Sequence, residues 1–420
     1  MAFTSTQLAA TIDAVRAVMP LRAPADIEMS RFFREHPKLG AQDRAFVAEA
    51  VFGILRNKIQ LDRLSGAQPT PRKLTLAWLA AVYGLNLREL TPYITESEQR
   101  WISEVKAAKS ASAEIEELAE LPSWIVGMLR EDGLGDEQII EMGRAFGSSG
   151  SLDLRVNTIK ANREAVLERF SQDGIAHSPT PFSPHGIRLA GKPTINRHPL
   201  FQEGVIEVQD EGSQLLGLLL APKRGEMIVD FCAGAGGKTL LLGMLMQSSG
   251  RLYAFDVSEK RLANLKPRLA RSGLSNVHPQ LISSENDPKI KRLSGKIDRV
   301  LVDAPCSGLG TLRRNPDLKF RQSPQSVAEL NAKQLSILTS AARLPKVGGR
   351  LVYATCSILQ VENQKVIESF LQSHPNFVVR DAGEALASSR VELNTGPFLQ
   401  LNPKDHQCDG FFAAVLERVE

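Results

Sequence analysis

Apolar residues recur at helical spacing through the first third of the chain. Within 45–55, Phe46, Ala50 and Ile54 fall on one face. Segments 71–87 and 113–121 read alike, and β-branched alternation is scarce, so residues 1–145 are expected to form an all-helical domain. The run Gly147-Ser148-Ser149-Gly150 reads as a linker. After it the period changes. Leu152-Asp153-Leu154-Arg155-Val156-Asn157 alternates as a strand does, Asn162 is placed to cap a helix over 163–170, and 204–209 is a further strand. These elements predict a small α/β middle module over 150–221. From 222 onward, short apolar runs at 227–230, 251–256, 299–303 and 349–355 are separated by helical stretches. Strands alternating with helices predict a parallel, doubly wound sheet over 222–420. Such sheets bind ligands at the carboxyl ends of their strands, where Asp230, Asp256, Asp303 and Cys356 lie.

Composition narrows this little. The 420 residues are 43% hydrophobic and 23% charged, which excludes a disordered or fibrous chain and suits two or three domains. No uncharged apolar run reaches the roughly 18 residues of a membrane span. Segment 1–20 carries Asp13 and Arg16 among its apolar residues and lacks a leader pattern. Four cysteines, Cys232, Cys306, Cys356 and Cys408, form no C-x-x-C pair and meet no His cluster. That spacing predicts no metal site and a reduced, cytoplasmic setting.

Charge distribution says more than the net +4. Residues 1–150 hold 17 basic and 20 acidic side chains, a balance of −3, whereas the remaining 34 basic and 27 acidic ones give +7. An excess confined to the C-terminal two-thirds suits contact with a polyanion there.

Chemistry concentrates at the strand ends. Asp230-Phe231-Cys232-Ala233-Gly234-Ala235-Gly236-Gly237-Lys238-Thr239 joins a strand to a helix, with three glycines that let the backbone approach a ligand at a helix N-terminus. It is not a P-loop, which needs Gly where Cys232 stands, nor a dinucleotide G-x-G-x-x-G, which needs Gly at Thr239. Asp256, at the end of the next strand, suits the two ribose hydroxyls of a nucleoside cofactor without a pyrophosphate, such as S-adenosylmethionine. Then follow Asp303-Ala304-Pro305-Cys306-Ser307-Gly308 and Ala354-Thr355-Cys356-Ser357, each with a cysteine beside a strand end. One such cysteine is commonly a small buried hydrophobe; two, both next to the cofactor edge, suggest thiol chemistry.

In order and spacing these motifs resemble the RNA cytosine-5 methyltransferases, specifically the bacterial RsmB-like branch that acts on small-subunit rRNA. The resemblance extends to 40–64, similar to the branch's NusB-like helical domain, to 154–158 and 208–214 in the middle module, and to Asp409-Gly410-Phe411-Phe412 in a C-terminal strand. It implies a Rossmann-like catalytic domain, S-adenosylmethionine as cofactor and RNA as partner. The NusB-like domain favours rRNA over tRNA, and the chain is expected to be a cytoplasmic monomer. It implies Cys356 as nucleophile, Cys306 as its helper in product release, Asp303 as hydrogen-bonding partner of cytosine N3 and Lys238 as an orienting group. The cofactor would rest on Cys232, Ala233, Gly234, Ala235, Gly236, Gly237, Lys238, Asp256 and Asp303. Arg313, Arg314 and the middle module are candidates for phosphate contacts.

The chain departs from the family pattern twice. Gly234-Ala235 replaces the usual Ala-Pro of the loop, a change the turn can absorb. Where the family often has an Asp near the adenine, this chain has Ser283-Ser284-Glu285, leaving Ser284 or Glu285 to take the contact. Two other readings remain open: the same chemistry on tRNA, or an inactive RNA-binding assembly factor, which loss of Cys356 or Asp303 would favour. Asp303-Ala304-Pro305-Cys306 stands where protein-glutamine and exocyclic-amine methyltransferases carry Asn/Asp-Pro-Pro-Tyr, which argues against those targets.

Overall fold

The computed structural model describes residues 3–108 and 113–420. Met1 and Ala2, which begin the segment judged to lack a leader, lie outside them. The chain forms two compact units, residues 1–149 with 311–324, and 150–310 with 325–420. None of the described helices is long and apolar enough to cross a membrane.

The first unit is helical, from Ser5–Val18 and Ala25–Glu35 through Ala41–Arg56 to Asp136–Phe146. Ala50 and Ile54 are fully buried, as their spacing predicts, and pack with Val15, Leu61 and Leu79. The sequence pattern runs the catalytic region unbroken from 222, yet Thr311–Pro324 packs into this helical unit. The reason is polar. Asp317 accepts the N–H of Ala25, and the Lys319 ammonium donates to the carbonyls of Arg56 and Glu120 at 2.8 and 2.7 Å. Burial holds the Lys319 ammonium down to about 8. Arg313 is drawn inside as well and donates to the carbonyl of Ser149, so it is not the surface phosphate contact its sequence suggests. Arg314 is half-buried.

The second unit holds two sheets. In the smaller, β1 (Leu152–Val156), β2 (His177–Pro179), β3 (Gly186–Leu189) and β4 (Ile206–Val208) pair antiparallel in the order β2-β3-β1-β4. Asn162 caps the helix Arg163–Gln172 through the N–H of Ala165, and Val166 and Phe170 close over Leu154, Val156 and Ile206.

The larger sheet contains β5 (Met227–Asp230), β6 (Arg251–Asp256), β7 (Val277–Leu281), β8 (Ile297–Asp303), β9 (Pro345–Thr355), β10 (Phe377–Arg380), β11 (Phe398–Leu401) and β12 (Phe411–Arg418). Its order is β10-β12-β9-β8-β5-β6-β7, with β11 paired to β12. β7, β6, β5, β8 and β9 are parallel; β12 returns antiparallel to β9. This is the Rossmann-like α/β fold that the strand–helix alternation predicts. Strand order reverses between β5 and β8, where such sheets open a crevice at their carboxyl ends.

Candidate active site

Four strand ends build the site. After β5 the chain turns through Gly234 (φ 55°) and Gly236 (φ 85°), left-handed values that L side chains adopt at a cost, and enters the helix Gly237–Leu245. A Cβ on Gly236 would stand 2.1 Å from Cδ1 of Leu265, whereas one on Gly234 would meet nothing within 4 Å. The loop is thus packed on one side and open on the other. No side chain caps the helix, so its first N–H groups face the crevice as an electropositive end.

Asp256, nearly fully buried at the end of β6, fastens this loop to its neighbour. Its Oδ2 accepts the N–H of Gly234 at 2.9 Å and its Oδ1 that of Ser258 at 2.7 Å. Each oxygen keeps a second lone pair for a ligand hydroxyl. Asp230 is buried behind the loop. Its Oδ2 accepts the Thr239 hydroxyl at 2.7 Å, and its Oδ1 is buried with no protein partner. Burial, reinforced by the charge of Asp303 and opposed by the Thr239 hydrogen bond, pushes the Asp230 carboxyl up to about 7. The half-buried Cys232 thiol is pushed up by burial and by Asp230, Asp303 and Asp256.

Lys238 projects from the first turn of the helix, and its Nζ donates to Oδ2 of Asp303, at the end of β8, at 2.6 Å. Burial alone would lower this ammonium, but attraction and hydrogen bonding to Asp303 outweigh it and leave it raised. The Lys238 ammonium also lies 5.8 Å from the centre of the Phe411 ring. Cys306 and Cys356, fifty residues apart in sequence, bring their Sγ atoms to 3.3 Å, and the N–H of Cys356 also donates to Sγ of Cys306. The hydrogen bond to Cys356 and then burial push the Cys306 thiol well up. A thiol at Cys306 can donate to Cys356 and leave the second sulfur as acceptor.

Beyond β7, the two candidates for the adenine contact separate. The Glu285 carboxylate turns to Lys333 at 2.7 Å and Ser336 at 2.7 Å, and the Lys333 hydrogen bond, against burial, holds it down at about 2. Ser284 is half-buried at the mouth of the strand, its hydroxyl accepting the N–H of Asn286. Of the two, Ser284 has a hydroxyl that can still donate, whereas the Glu285 carboxylate is committed to another helix.

The arrangement suits S-adenosylmethionine: the orphaned Oδ1 of Asp230 is a partner for an ammonium, the paired lone pairs of Asp256 for a ribose, and the open face of Gly234 for close approach. Asp230 was not singled out as a cofactor residue from sequence; its signal is the unpaired buried oxygen. No group of described His, Cys, Asp and Glu residues could hold a metal ion.

Comparison with known proteins agrees. The family described as 16S rRNA methyltransferase RsmB/F matches residues 217–417, and its RsmF/B-like ferredoxin-like domain matches 121–196. A Synechocystis protein named "Probable ribosomal RNA small subunit methyltransferase B" is 31% identical, over 94% of this chain and 95% of its own. The chain belongs to the RsmB/F family of 16S rRNA methyltransferases. A Sodalis glossinidius relative, ribosomal RNA small subunit methyltransferase B, is 32% identical, with 90% of both chains covered. The solved structure of a methyltransferase homolog protein from Pyrococcus horikoshii superposes with a TM-score of 0.58 at 28% identity, over 71% of this chain and 100% of that one. This RsmB/F chain is therefore an S-adenosylmethionine-dependent RNA methyltransferase, as its motifs suggest.

Proposed function

We propose that this RsmB/F protein methylates carbon 5 of a cytosine in rRNA through a covalent bond between Cys356 and carbon 6. The observation that carries the reading is the pair of thiols 3.3 Å apart, beside the Lys238–Asp303 pair, at the carboxyl ends of β8 and β9. Carbon 5 of cytosine is a poor nucleophile. Addition of the Cys356 thiolate to carbon 6 turns the ring into an enamine and makes carbon 5 electron-rich. A proton passed from the Lys238 ammonium through Asp303 to N3 offsets the negative charge that develops during attack. Residues 232–238, Asp256 and Ser284 would hold S-adenosylmethionine, which when bound would supply an electrophilic methyl group to carbon 5 and leave as S-adenosylhomocysteine. Cys306, its own proton passed on to solvent, takes the carbon-5 proton; the C5–H electron pair re-forms the 5,6 double bond, the Cys356–carbon 6 bond breaks to release the thiolate, and N3 returns its proton through Asp303 to Lys238. The target base must leave its stack to reach the thiols, so a flipped or single-stranded cytosine is needed. A ribosomal target favours a cytoplasmic protein, and the chain acts as a monomer in this reading.

The test sets Cys356→Ala against Cys306→Ala with substrate RNA and cofactor on denaturing gels. A slow-migrating protein–RNA band with Cys306→Ala and none with Cys356→Ala is expected. The reverse pattern would make Cys306 the nucleophile, and no band from either would remove the release role of Cys306.

A further inference from the structure

Behind the thiol pair sits a carboxylate that the mechanism above does not use. Glu362 closes the short 3-10 turn Gln360–Glu362 and is fully buried. Its Oε1 accepts the N–H of Ser307 at 2.8 Å and Nε2 of Gln334 at 3.0 Å; its Oε2 accepts the hydroxyls of both Ser307 and Ser357. Ser307 follows Cys306 and Ser357 follows Cys356, so one side chain grips both cysteine loops. The same Gln334 donates to the carbonyl of Pro305, on the other flank of Cys306, at 3.0 Å. The neighbouring Asn363 holds the Cys356 loop on both flanks, accepting the Thr355 hydroxyl and donating to the carbonyl of Ser357. The backbone of Glu362 is itself anchored, its carbonyl accepting the Tyr353 hydroxyl at 2.7 Å.

Burying a carboxylate is costly unless its lone pairs are filled. Four donors fill them here, and all four are neutral. The charge lies close enough to Cys306 to contribute to raising its thiol.

We propose that Glu362 is the positioning residue of the thiol pair: its carboxylate fastens the Cys306 loop to the Cys356 loop and so sets the separation at which both sulfurs can meet one base. This rests on the two-cysteine reading above. A shift of about 1 Å in such a pair costs roughly 100-fold in rate.

The experiment compares full-length wild type, Glu362→Ala and Glu362→Gln. One arm needs neither RNA nor cofactor: alkylation of Cys306 and Cys356 by iodoacetamide as a function of pH, read by peptide mass spectrometry. The other measures single-turnover adduct formation with substrate RNA, each Glu362 form being placed in a Cys306→Ala background where the adduct accumulates, alongside S-adenosylmethionine affinity. Glu362→Ala is expected to slow adduct formation roughly 100-fold while cofactor affinity stays within about threefold. Glu362→Gln, which can still bridge the two serines, is expected to restore most of that rate. Removing the negative charge should also move the alkylation profile of Cys306 to lower pH in Glu362→Gln. Adduct rates equal to those with Glu362 intact, together with unchanged alkylation profiles in both variants, would overturn the proposal. So would parallel loss of melting temperature and cofactor affinity in both, which would make Glu362 a general structural residue. If Glu362→Ala does not fold, the Cys306 profile in Glu362→Gln decides. If Cys306→Ala with Glu362 intact forms no adduct, the two-cysteine reading fails, and the alkylation arm still decides whether Glu362 governs the thiols.

Discussion

Asp256 and Asp230 sit a loop apart, and the structure gives them opposite environments. Asp256 has two backbone N–H donors, and each of its oxygens keeps room for a ligand hydroxyl. Asp256→Ala should weaken S-adenosylmethionine binding by about 1–3 kcal/mol, the cost of leaving buried hydroxyls unpaired; unchanged affinity by calorimetry would refute the ribose contact. Asp230 is buried with one oxygen unpaired, and burial raises its carboxyl to about 7. A carboxyl raised on folding favours the protonated folded state, so its contribution is full below the unfolded value near 4 and is lost as pH rises through about 7. Without cofactor, wild type should therefore lose stability relative to Asp230→Asn between those values, by at most about 1.4 kcal/mol per pH unit. Parallel urea-denaturation curves for the two proteins across that range would refute the raised carboxyl. The motif spacing made Asp256 legible in the sequence. It did not reveal the orphaned oxygen of Asp230 or the grip of Glu362, because both depend on what surrounds a side chain, which spacing does not encode.

Among elements, the apolar strands of the parallel sheet were legible because both their faces are covered and their sequences are nearly continuous apolar runs. β7 was missed. Its sequence Val277-His278-Pro279-Gln280-Leu281 is mixed and contains a proline, which cannot donate to a ladder. The sheet tolerates it because β7 lies at the edge, bonded only to β6. β2, which ends in Pro179, is likewise an edge strand. Elsewhere the contact between elements is tighter than any sequence pattern announces. Gly310 donates to the carbonyl of Cys356 at 2.8 Å and accepts the N–H of Gly410 at 2.7 Å, joining the Cys306 loop to the Cys356 loop and to the start of β12. A Cβ at Gly310 would stand 2.1 Å from the carbonyl oxygen of Gly410, a backbone atom that cannot step aside cheaply. Gly310→Ala should thus cost about 1–3 kcal/mol of stability, the usual range for overpacking. In a Cys306→Ala background it should also slow adduct formation more than it weakens cofactor binding. A melting temperature and adduct rate unchanged by the substitution would show that the two cysteine loops and the start of β12 are not so tightly joined.

Across the whole molecule, charge and topology act over the longest range. If the +7 excess of residues 151–420 meets phosphates, RNA affinity should fall steeply with salt, log K decreasing linearly with log salt concentration. A flat dependence would make the asymmetry incidental. The amino-acid sequence by itself determined the helical first third, the Rossmann-like alternation, and the identity and order of Asp230, Asp256, Asp303, Cys306 and Cys356 at strand ends. Those features are local: hydrophobic period follows the geometry of one element, and a strand end is marked by the residues that terminate it. Only the tertiary structure decided the rest. Pairing β8 with β9 brings two cysteines fifty residues apart to 3.3 Å, and burial and polar contacts draw Thr311–Pro324 into the helical unit with Arg313 inside it. Such distances and burials arise from contacts between elements far apart in the chain, and no window along the sequence contains both partners.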